Sequence, residues 1–368
     1  MFNFLMPTKI ITGEFSVLNN SKDLIYGTKA MIVTGKTSGA KSGALSDVIK
    51  VLEENNIPYL VYDKIGNNPT IEETLEGGKQ AKNFGADFLI GIGGGSPLDA
   101  TKAIAVYAVN ETGTDFDMYD IFDLKFKNKP LPMVAIPTTA GTGSETTPYS
   151  ILTLHKEKNK RSFASPDVFY KVAFLDGRYT LNLPLQIARN TAVDAMCHLL
   201  EGFTNKRSSP ASDYIALEGL RIFGKHLETI INGDFDTEKC TELLWAATLG
   251  GIVISQTGTT IVHSMGYPLT YYKDIPHGMA NGLLLGEYLE RTATVLPEKV
   301  KNALIMLGFD KLIDFKEYLL KILPCDIKFT KEEFEDWTAT TIQAKNVPIC
   351  PFEVTREDEI EIFNKCLI

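Results

Sequence analysis

The first half of the chain alternates short apolar runs with helical patterns, and this alternation restricts the possible folds more than any other feature. The apolar runs are AMIVTG at 30–35, IPYLVYD at 57–63, DFLIGIG at 87–93 and LPMVAIP at 131–137. The first three are followed by helical patterns that end near Glu54, cover Ile71–Phe84 and cover Pro97–Val109. Strands and helices in regular alternation predict a parallel sheet covered on both faces.

The second half of the chain has a different pattern. From Tyr149 to Asp176, two β-rich runs flank the polar segment HKEKNKR, which predicts a hairpin. After Pro184 the strand patterns end and long amphipathic helical segments follow, at Leu185–Phe203, Ala211–Ile231, Lys239–Ile254 and His277–Thr294. Because 368 residues exceed the size of one ordinary core, we predict an α/β domain over 1–180 and an all-helical domain over 181–368.

The charge balance argues against a nucleic acid or a membrane as partner. Lys and Arg number 37 and Asp and Glu number 46, which gives a net charge of −9, and a surface of that sign repels phosphate backbones and anionic lipids. The five cysteines form no C-x-x-C pair, which is typical of a reducing compartment. The start MFNFLMPTKI lacks a secretory pattern, and polar residues interrupt the uncharged window from Leu243 to Tyr272. We therefore expect a cytoplasmic protein.

Two loops of small residues follow predicted strands. In GIGGGSPLDATK at 91–102, Ser96 is placed to cap a helix that Pro97 can begin, and the glycines allow backbone N–H groups to approach an anion. PTTAGTGSE at 137–145 follows the next strand, so both loops should emerge at one sheet edge. The string is not G-x-G-x-x-G. A phosphate site is one interpretation, and tight turns without a ligand are the other.

Four residues form a candidate metal site. Asp194 and His198 are separated by four positions in a helical pattern, so their side chains project from one face. His263 and His277 are separated by a Pro- and Tyr-rich connection, and with the first pair they offer one oxygen and three nitrogen donors to a divalent transition metal. A hydrogen-bonded Asp–His pair is the alternative. His155 and His226 are interpreted as solvent-exposed.

These motifs together resemble the iron-containing (group III) alcohol dehydrogenases. GGGSPLDATK, PTTAGTGSE, AVDAMCHLLEG, His263 and PHGMANG occur in the order of that family over nearly the whole chain. Within the family, the similarity is greatest to NADP-dependent dehydrogenases of small alcohols, such as the butanol and 1,3-propanediol enzymes. The resemblance implies a dinucleotide-binding domain and a helical metal domain, a plan shared with dehydroquinate synthase.

The resemblance also implies site residues. It assigns Fe(II) to Asp194, His198, His263 and His277, although zinc would bind such donors more tightly. It assigns the cofactor pyrophosphate to a group of loop residues: Gly93, Gly94, Gly95, Ser96, Asp99, Thr138 and Thr139. Further candidates for cofactor contact are Asn68, Thr147 and Lys160.

The sequence departs from the family pattern at two positions. Many NAD-using members have an acidic residue at the end of the first strand, where this chain has Gly35, followed by Lys36. Loss of a carboxylate beside new ammonium groups favours a 2′-phosphate, so we predict NADP(H) over NAD(H). Tyr267 stands where many members have a histidine thought to assist proton transfer. A phenol, with an ordinary pKa of about 10, is a poorer base, although it can pass a proton or orient water.

The expected activity is reversible hydride transfer between NADP(H) and a short-chain primary alcohol or diol and its aldehyde. The alternative is a metal- and NAD-dependent lyase that resembles dehydroquinate synthase, but its phosphorylated substrate would require basic residues near the metal, and the window from Leu243 to Tyr272 has none. A non-catalytic nucleotide-binding protein with a structural metal is a further alternative. The family resemblance implies a homodimer joined in part by the apolar N-terminal strand.

Overall fold

A computed structural model of the protein describes residues 2–110 and 116–368. The chain divides into two units. We call the first the sheet unit, which comprises Met6–Asn182 and Asp236–Trp245. We call the second the helical unit, which comprises the N-terminal residues up to Leu5, Leu183–Phe235 and Ala246–Ile368.

Six parallel strands form the main sheet of the sheet unit. They are β1 (Lys9–Thr12), β2 (Ala30–Gly35), β3 (Tyr59–Ile65), β4 (Phe88–Gly93), β5 (Met133–Pro137) and β8 (Val172–Leu175). Their spatial order is β1-β8-β5-β4-β2-β3, and every neighbouring pair is parallel. The remaining two strands, β6 (Tyr149–Leu154) and β7 (Asn159–Ala164), form a separate antiparallel hairpin.

Both faces of the main sheet are apolar, because successive side chains of each strand point to opposite faces. In β2, Ala30 and Ile32 belong to one apolar cluster and Met31 and Val33 to the other. The helices of this unit are α1 (Ser16–Asn19), α2 (Ser21–Leu24), α3 (Ser38–Ser42), α4 (Ala44–Glu54), α5 (Ile71–Phe84) and α6 (Gly95–Tyr107). Residues of α4 pack in the first cluster and residues of α5 and α6 in the second. The predicted parallel α/β sheet is confirmed.

The helical unit contains the longer helices. They are α7 (Leu185–Thr204), α8 (Pro210–Lys225), α9 (Leu227–Asn232), α10 (Thr237–Thr257, whose first residues belong to the sheet unit), α11 (Ile261–Lys273), α12 (His277–Val295), α13 (Pro297–Met306), α14 (Leu312–Ile322), α15 (Lys331–Thr341) and α16 (Arg356–Leu367). In this unit α12 packs against α7 and α11. None of the helices in the described part of the chain has the length and apolarity needed to cross a membrane.

Three local predictions were wrong. The predicted helix Ala211–Ile231 is broken at His226, which is 3% exposed and ends α8, so this histidine is buried rather than solvent-exposed. The connection expected between His263 and His277 is mostly the helix α11, which contains Pro268. Ser96 does not cap α6, because the cap position belongs to Gly94, and the Ser96 hydroxyl instead accepts a hydrogen bond from the backbone N–H of Asn68 at 3.2 Å.

Candidate metal centre and nucleotide-binding loops

Three helices of the helical unit bring the predicted metal ligands together. Asp194 and His198 lie on one face of α7, His263 lies in the first turn of α11, and His277 is the first residue of α12. Asp194, His198 and His263 are each at most 5% exposed. Polar side chains buried to this degree require partners, so their convergence is a specific feature of the fold.

The donor atoms of Asp194, His263 and His277 lie within 4.8 Å of one another. The Nε2 atoms of His263 and His277 are 3.7 Å and 3.8 Å from Oδ1 of Asp194, which is longer than a hydrogen bond. The ring of His198 stacks on that of His263 with centroids 4.7 Å apart. His198 therefore lies beside the set, while the other three predicted ligands converge directly.

Small and polar residues allow this convergence. A Cβ atom at Gly278 would overlap the carbonyl oxygen of Asn190 and lie 2.9 Å from Cβ of Asp194, so only glycine lets the start of α12 approach α7 so closely. The amide of Asn281, one turn into α12, donates to Oδ1 of Asp194 at 2.9 Å. Tyr267 stacks on the ring of His277, with centroids 5.7 Å apart and planes 15° from parallel.

The charges of the cluster act on the pKa values of its members. Burial raises the pKa of Asp194, but the imidazoles of His198, His277 and His263 lower it, and the net direction is downward. Burial also raises the pKa of Glu201, but the adjoining His263 lowers it below its ordinary value. Both acids are therefore held as carboxylates, which is the form that binds cations.

A divalent cation fits these residues. Nε2 of His263 is buried and has no hydrogen-bond partner among residues 2–110 and 116–368. It belongs to a set of nitrogen and oxygen donors, and imidazole with carboxylate is a ligand combination suited to iron and zinc. A buried polar atom without a partner destabilises the folded state unless a bound ligand satisfies it.

In the sheet unit, the glycine-rich segment connects β4 directly to α6. Gly93 has φ of 147°, in the region that favours glycine, and a Cβ there would lie 2.6 Å from Cγ of Pro97. Gly94 is the cap residue of α6, and α6 begins at Gly95. The first N–H groups of a helix have no partner within the helix, so at the start of α6 they can bind an anion such as a phosphate.

The second predicted loop packs against the first. The N–H of Thr138 donates to the carbonyl of Gly93 at 3.0 Å. A Cβ at Gly94 would lie 3.0 Å from Oγ1 of Thr139. A Cβ at Gly95 would lie 2.7 Å from the methyl group of Thr142. The glycines thus allow the two loops to pack closely and also leave the backbone N–H groups accessible to a ligand.

Other predicted cofactor residues support these loops from behind. The Asp99 carboxylate is 9% exposed and accepts hydrogen bonds from Ser144 Oγ at 2.6 Å and from the N–H of Ile151 at 3.0 Å. Thr147 Oγ1 accepts a hydrogen bond from the buried Lys102 at 3.1 Å. Both oxygens of Asp99 are therefore engaged within the protein.

Asn68 and Lys160 lie beside the glycine-rich segment. Lys160 Nζ donates to Oδ1 of Asn68 at 2.8 Å, and the N–H of Asn68 donates to Ser96. Asn68 has φ of 58°, a left-handed conformation that asparagine tolerates. At the end of β2, a Cβ at Gly35 would lie 2.9 Å from Oγ of Ser38, and the next residue, Lys36, is exposed.

Comparison with known proteins agrees with this arrangement. Residues 7–177 match the model of the iron-containing alcohol dehydrogenase family, and residues 188–367 match the C-terminal model of the same family. The chain belongs to the iron-containing alcohol dehydrogenase family. The resemblance inferred from the motifs is confirmed.

Relatives and solved structures of the family cover most or all of the chain. A lactaldehyde reductase of Escherichia coli K12 is 32% identical over 76% of this chain and 72% of its own length. An NADPH-dependent butanol dehydrogenase of Clostridium saccharobutylicum is 30% identical over 77% of this chain and 72% of its own. An iron-containing alcohol dehydrogenase of Thermotoga maritima, solved as a crystal structure, is 37% identical, has a TM-score of 0.91 and covers 100% of this chain and 99% of its own.

In this chain, sequence reasoning did not single out two residues next to the predicted ligands. Glu201 contacts His263, and Asn281 contacts Asp194. Glu201 is seven positions after Asp194 and Asn281 four positions after His277, so each shares a helix face with a ligand. Helical spacing carried beyond the ligands would have revealed both.

Proposed function

We propose that this protein is a metal-dependent alcohol dehydrogenase that transfers a hydride reversibly between NADP(H) and a short-chain primary alcohol or diol and its aldehyde. The observation that carries the proposal is the convergent set of donors from Asp194, His263 and His277, in a chain of the iron-containing alcohol dehydrogenase family. Relatives named lactaldehyde reductase and butanol dehydrogenase support a small substrate.

The residues of the helical unit would hold the metal. Asp194, His198, His263 and His277 are its proposed ligands, with iron(II) favoured by the family and zinc(II) as the competing metal. When bound, the metal would polarise the substrate oxygen as a Lewis acid and NADP(H) would exchange the hydride. Tyr267, stacked on His277, is placed to orient water or pass a proton.

The residues of the sheet unit would hold the cofactor. N–H groups at Gly94 and Gly95 would bind the pyrophosphate, with Thr138 and Thr139 beside it. Lys36 would pair with the 2′-phosphate of NADP(H). The last residue of β2 is Gly35, so no carboxylate stands at this position to repel the phosphate.

The experiment is anaerobic purification, metal analysis and a screen of short aldehydes with NADPH and NADH. We expect kcat/KM to be at least about tenfold higher with NADPH, a difference of about 1.4 kcal/mol in transition-state stabilisation.

Gly35→Asp should move the preference toward NADH. Gly35→Ala is the matched control, since it adds the Cβ near Ser38 without the charge. Equal use of both cofactors by the native enzyme would contradict the proposed preference.

We also propose a cytoplasmic homodimer. The N-terminal side chains Phe2, Phe4 and Leu5 are 55%, 39% and 48% exposed, and an apolar cluster of this kind is suited to a subunit contact. Light scattering that gives the mass of a single chain would contradict the dimer.

A further inference from the structure

Glu201 is a buried carboxylate whose two oxygens are both engaged. Oε1 accepts hydrogen bonds from the backbone N–H of Thr260 at 2.8 Å and from its hydroxyl at 2.7 Å. Oε2 is hydrogen-bonded to Nδ1 of His263. Glu201 is 0% exposed, so these contacts are made without competition from solvent.

The direction of the second hydrogen bond determines which nitrogen of His263 carries the proton. An ionised carboxylate only accepts hydrogen bonds, so Nδ1 must be the donor. In the neutral form of the ring, which is the form that binds a metal, the other nitrogen, Nε2, then keeps its lone pair. Nε2 lies 3.7 Å from Oδ1 of Asp194 and has no hydrogen-bond partner in the described part of the chain. Its lone pair therefore lies within the set of donor atoms.

We propose that Glu201 is a positioning residue that fixes His263 in the Nδ1–H tautomer and so makes Nε2 available to a divalent cation. The inference rests on the metal-dependent function proposed above and adds a requirement to it. Partners of this kind orient a ligand ring and increase its basicity, although they do not touch the metal.

The Glu201→Gln variant tests this role because it retains the shape of the side chain and reverses one hydrogen bond. The backbone N–H of Thr260 requires an acceptor, so the amide oxygen must take the place of Oε1. The NH₂ group then faces Nδ1 of His263 and donates to it. The ring proton moves to Nε2, where it blocks metal ligation.

The full-length protein, stripped of metal, is titrated with Co²⁺ and Zn²⁺ in competition with a chelator. We expect Glu201→Gln to bind either ion roughly 10- to 100-fold more weakly than the native protein. The visible absorption of bound Co²⁺ should also change, because one nitrogen ligand is lost. The melting temperature of the metal-free variant reports whether it folds.

Glu359→Gln is the matched control. Glu359 is also 0% exposed, belongs to the helical unit and bonds a threonine hydroxyl, that of Thr341, but contacts no histidine of the cluster. The Glu359→Gln substitution should leave the affinity for Co²⁺ unchanged.

The outcomes separate the two proposals. A folded Glu201→Gln protein with native affinity and an unchanged Co²⁺ spectrum would overturn the role of Glu201 while leaving the metal site intact. Equal weakening in Glu201→Gln and Glu359→Gln would also overturn it, because the effect would then be general. A native protein that binds neither ion would refute the metal-dependent function itself.

Discussion

Glu359 is a single buried acid whose ionisation should affect the stability of the whole helical unit. It lies in α16 and accepts a hydrogen bond from the hydroxyl of Thr341 in α15, and burial raises its pKa from 4.5 to about 7. The folded state therefore holds a proton that the unfolded chain releases, so stability decreases as the pH rises from about 4.5 through 7. Between pH 5 and pH 8, the ionisation of this residue should lower the free energy of unfolding by about 2–3 kcal/mol.

Glu359→Gln should remove this pH dependence, since an amide has no proton to lose. Unfolding of metal-free native and variant protein at pH 5 and pH 8 measures the difference, because both proteins contain the same ligand histidines and the contribution of these residues cancels in the comparison. The stability of the variant relative to the native protein should increase as the pH rises. Parallel stability curves across that range would show that the carboxyl is not held protonated.

Residue-level prediction succeeded where the chemistry was encoded in local spacing. The four-residue spacing of Asp194 and His198 indicated a shared helix face, and both lie on one face of α7. His226 was assigned to the surface because its neighbours GKHLE are polar, whereas it is 3% exposed at the junction of α8 and α9. Burial at a helix junction depends on tertiary packing, which local composition does not report.

Elements with local start and stop signals were predicted accurately. The helix α5 matches the predicted Ile71–Phe84, because Thr70 and Glu73 form a capping box and Gly85 ends the helix in a left-handed conformation. The bounds of the helix α11 were not predicted, because Pro268 suggested a break, although the helix continues through it. The strand β8, of four residues, is defined by its pairing with β1 and β5, which are distant in sequence.

Lys102 connects three elements of the sheet unit, and its loss should disrupt all of them. Its Nζ donates to Ser144 Oγ at 2.8 Å, to Thr147 Oγ1 at 3.1 Å and to the carbonyl of Tyr149 at 2.6 Å. It also lies 3.5 Å from Oδ1 of Asp99 and is 0% exposed. The helix α6, the loop after β5 and the start of β6 are thus joined by one ammonium group.

Lys102→Met should therefore lower the free energy of unfolding by about 3–5 kcal/mol, because it leaves the carboxylate of Asp99 buried without its cation. Denaturant-induced unfolding measures this change. Lys79→Met, on the exposed face of α5, is the matched control and should stay within about 0.5 kcal/mol of the native protein. An equally small effect at Lys102 would show that the buried contacts are dispensable.

At the scale of the whole molecule, the order of the motifs was sufficient to identify the family, because several specific motifs occur in one order over nearly the whole chain. Cofactor preference and substrate are harder to predict from the sequence. The prediction of cofactor preference was made from one position, Gly35, and the lysines near it. The substrate depends on side chains brought together from distant segments, which no local pattern records.

Metal removal should destabilise the molecule, because the carboxylates of Asp194 and Glu201 are buried beside the histidines and a divalent cation would balance their charges. A cation bound only by the folded state stabilises it by about 2.7 kcal/mol at 100 times its dissociation constant. Treatment with a chelator should then lower the melting temperature by roughly 5–10 °C near neutral pH.

The same treatment should have a much smaller effect on His263→Ala, which lacks one of the converging donors and should bind the cation more weakly. The shift should also decrease below about pH 6, because protons compete with the cation for the histidines. Calorimetry with and without chelator, at two pH values, measures both effects. If the native protein melts at one temperature regardless of chelator, then the buried carboxylates are balanced without a cation, and the histidines surrounding Asp194 must carry the compensating positive charge.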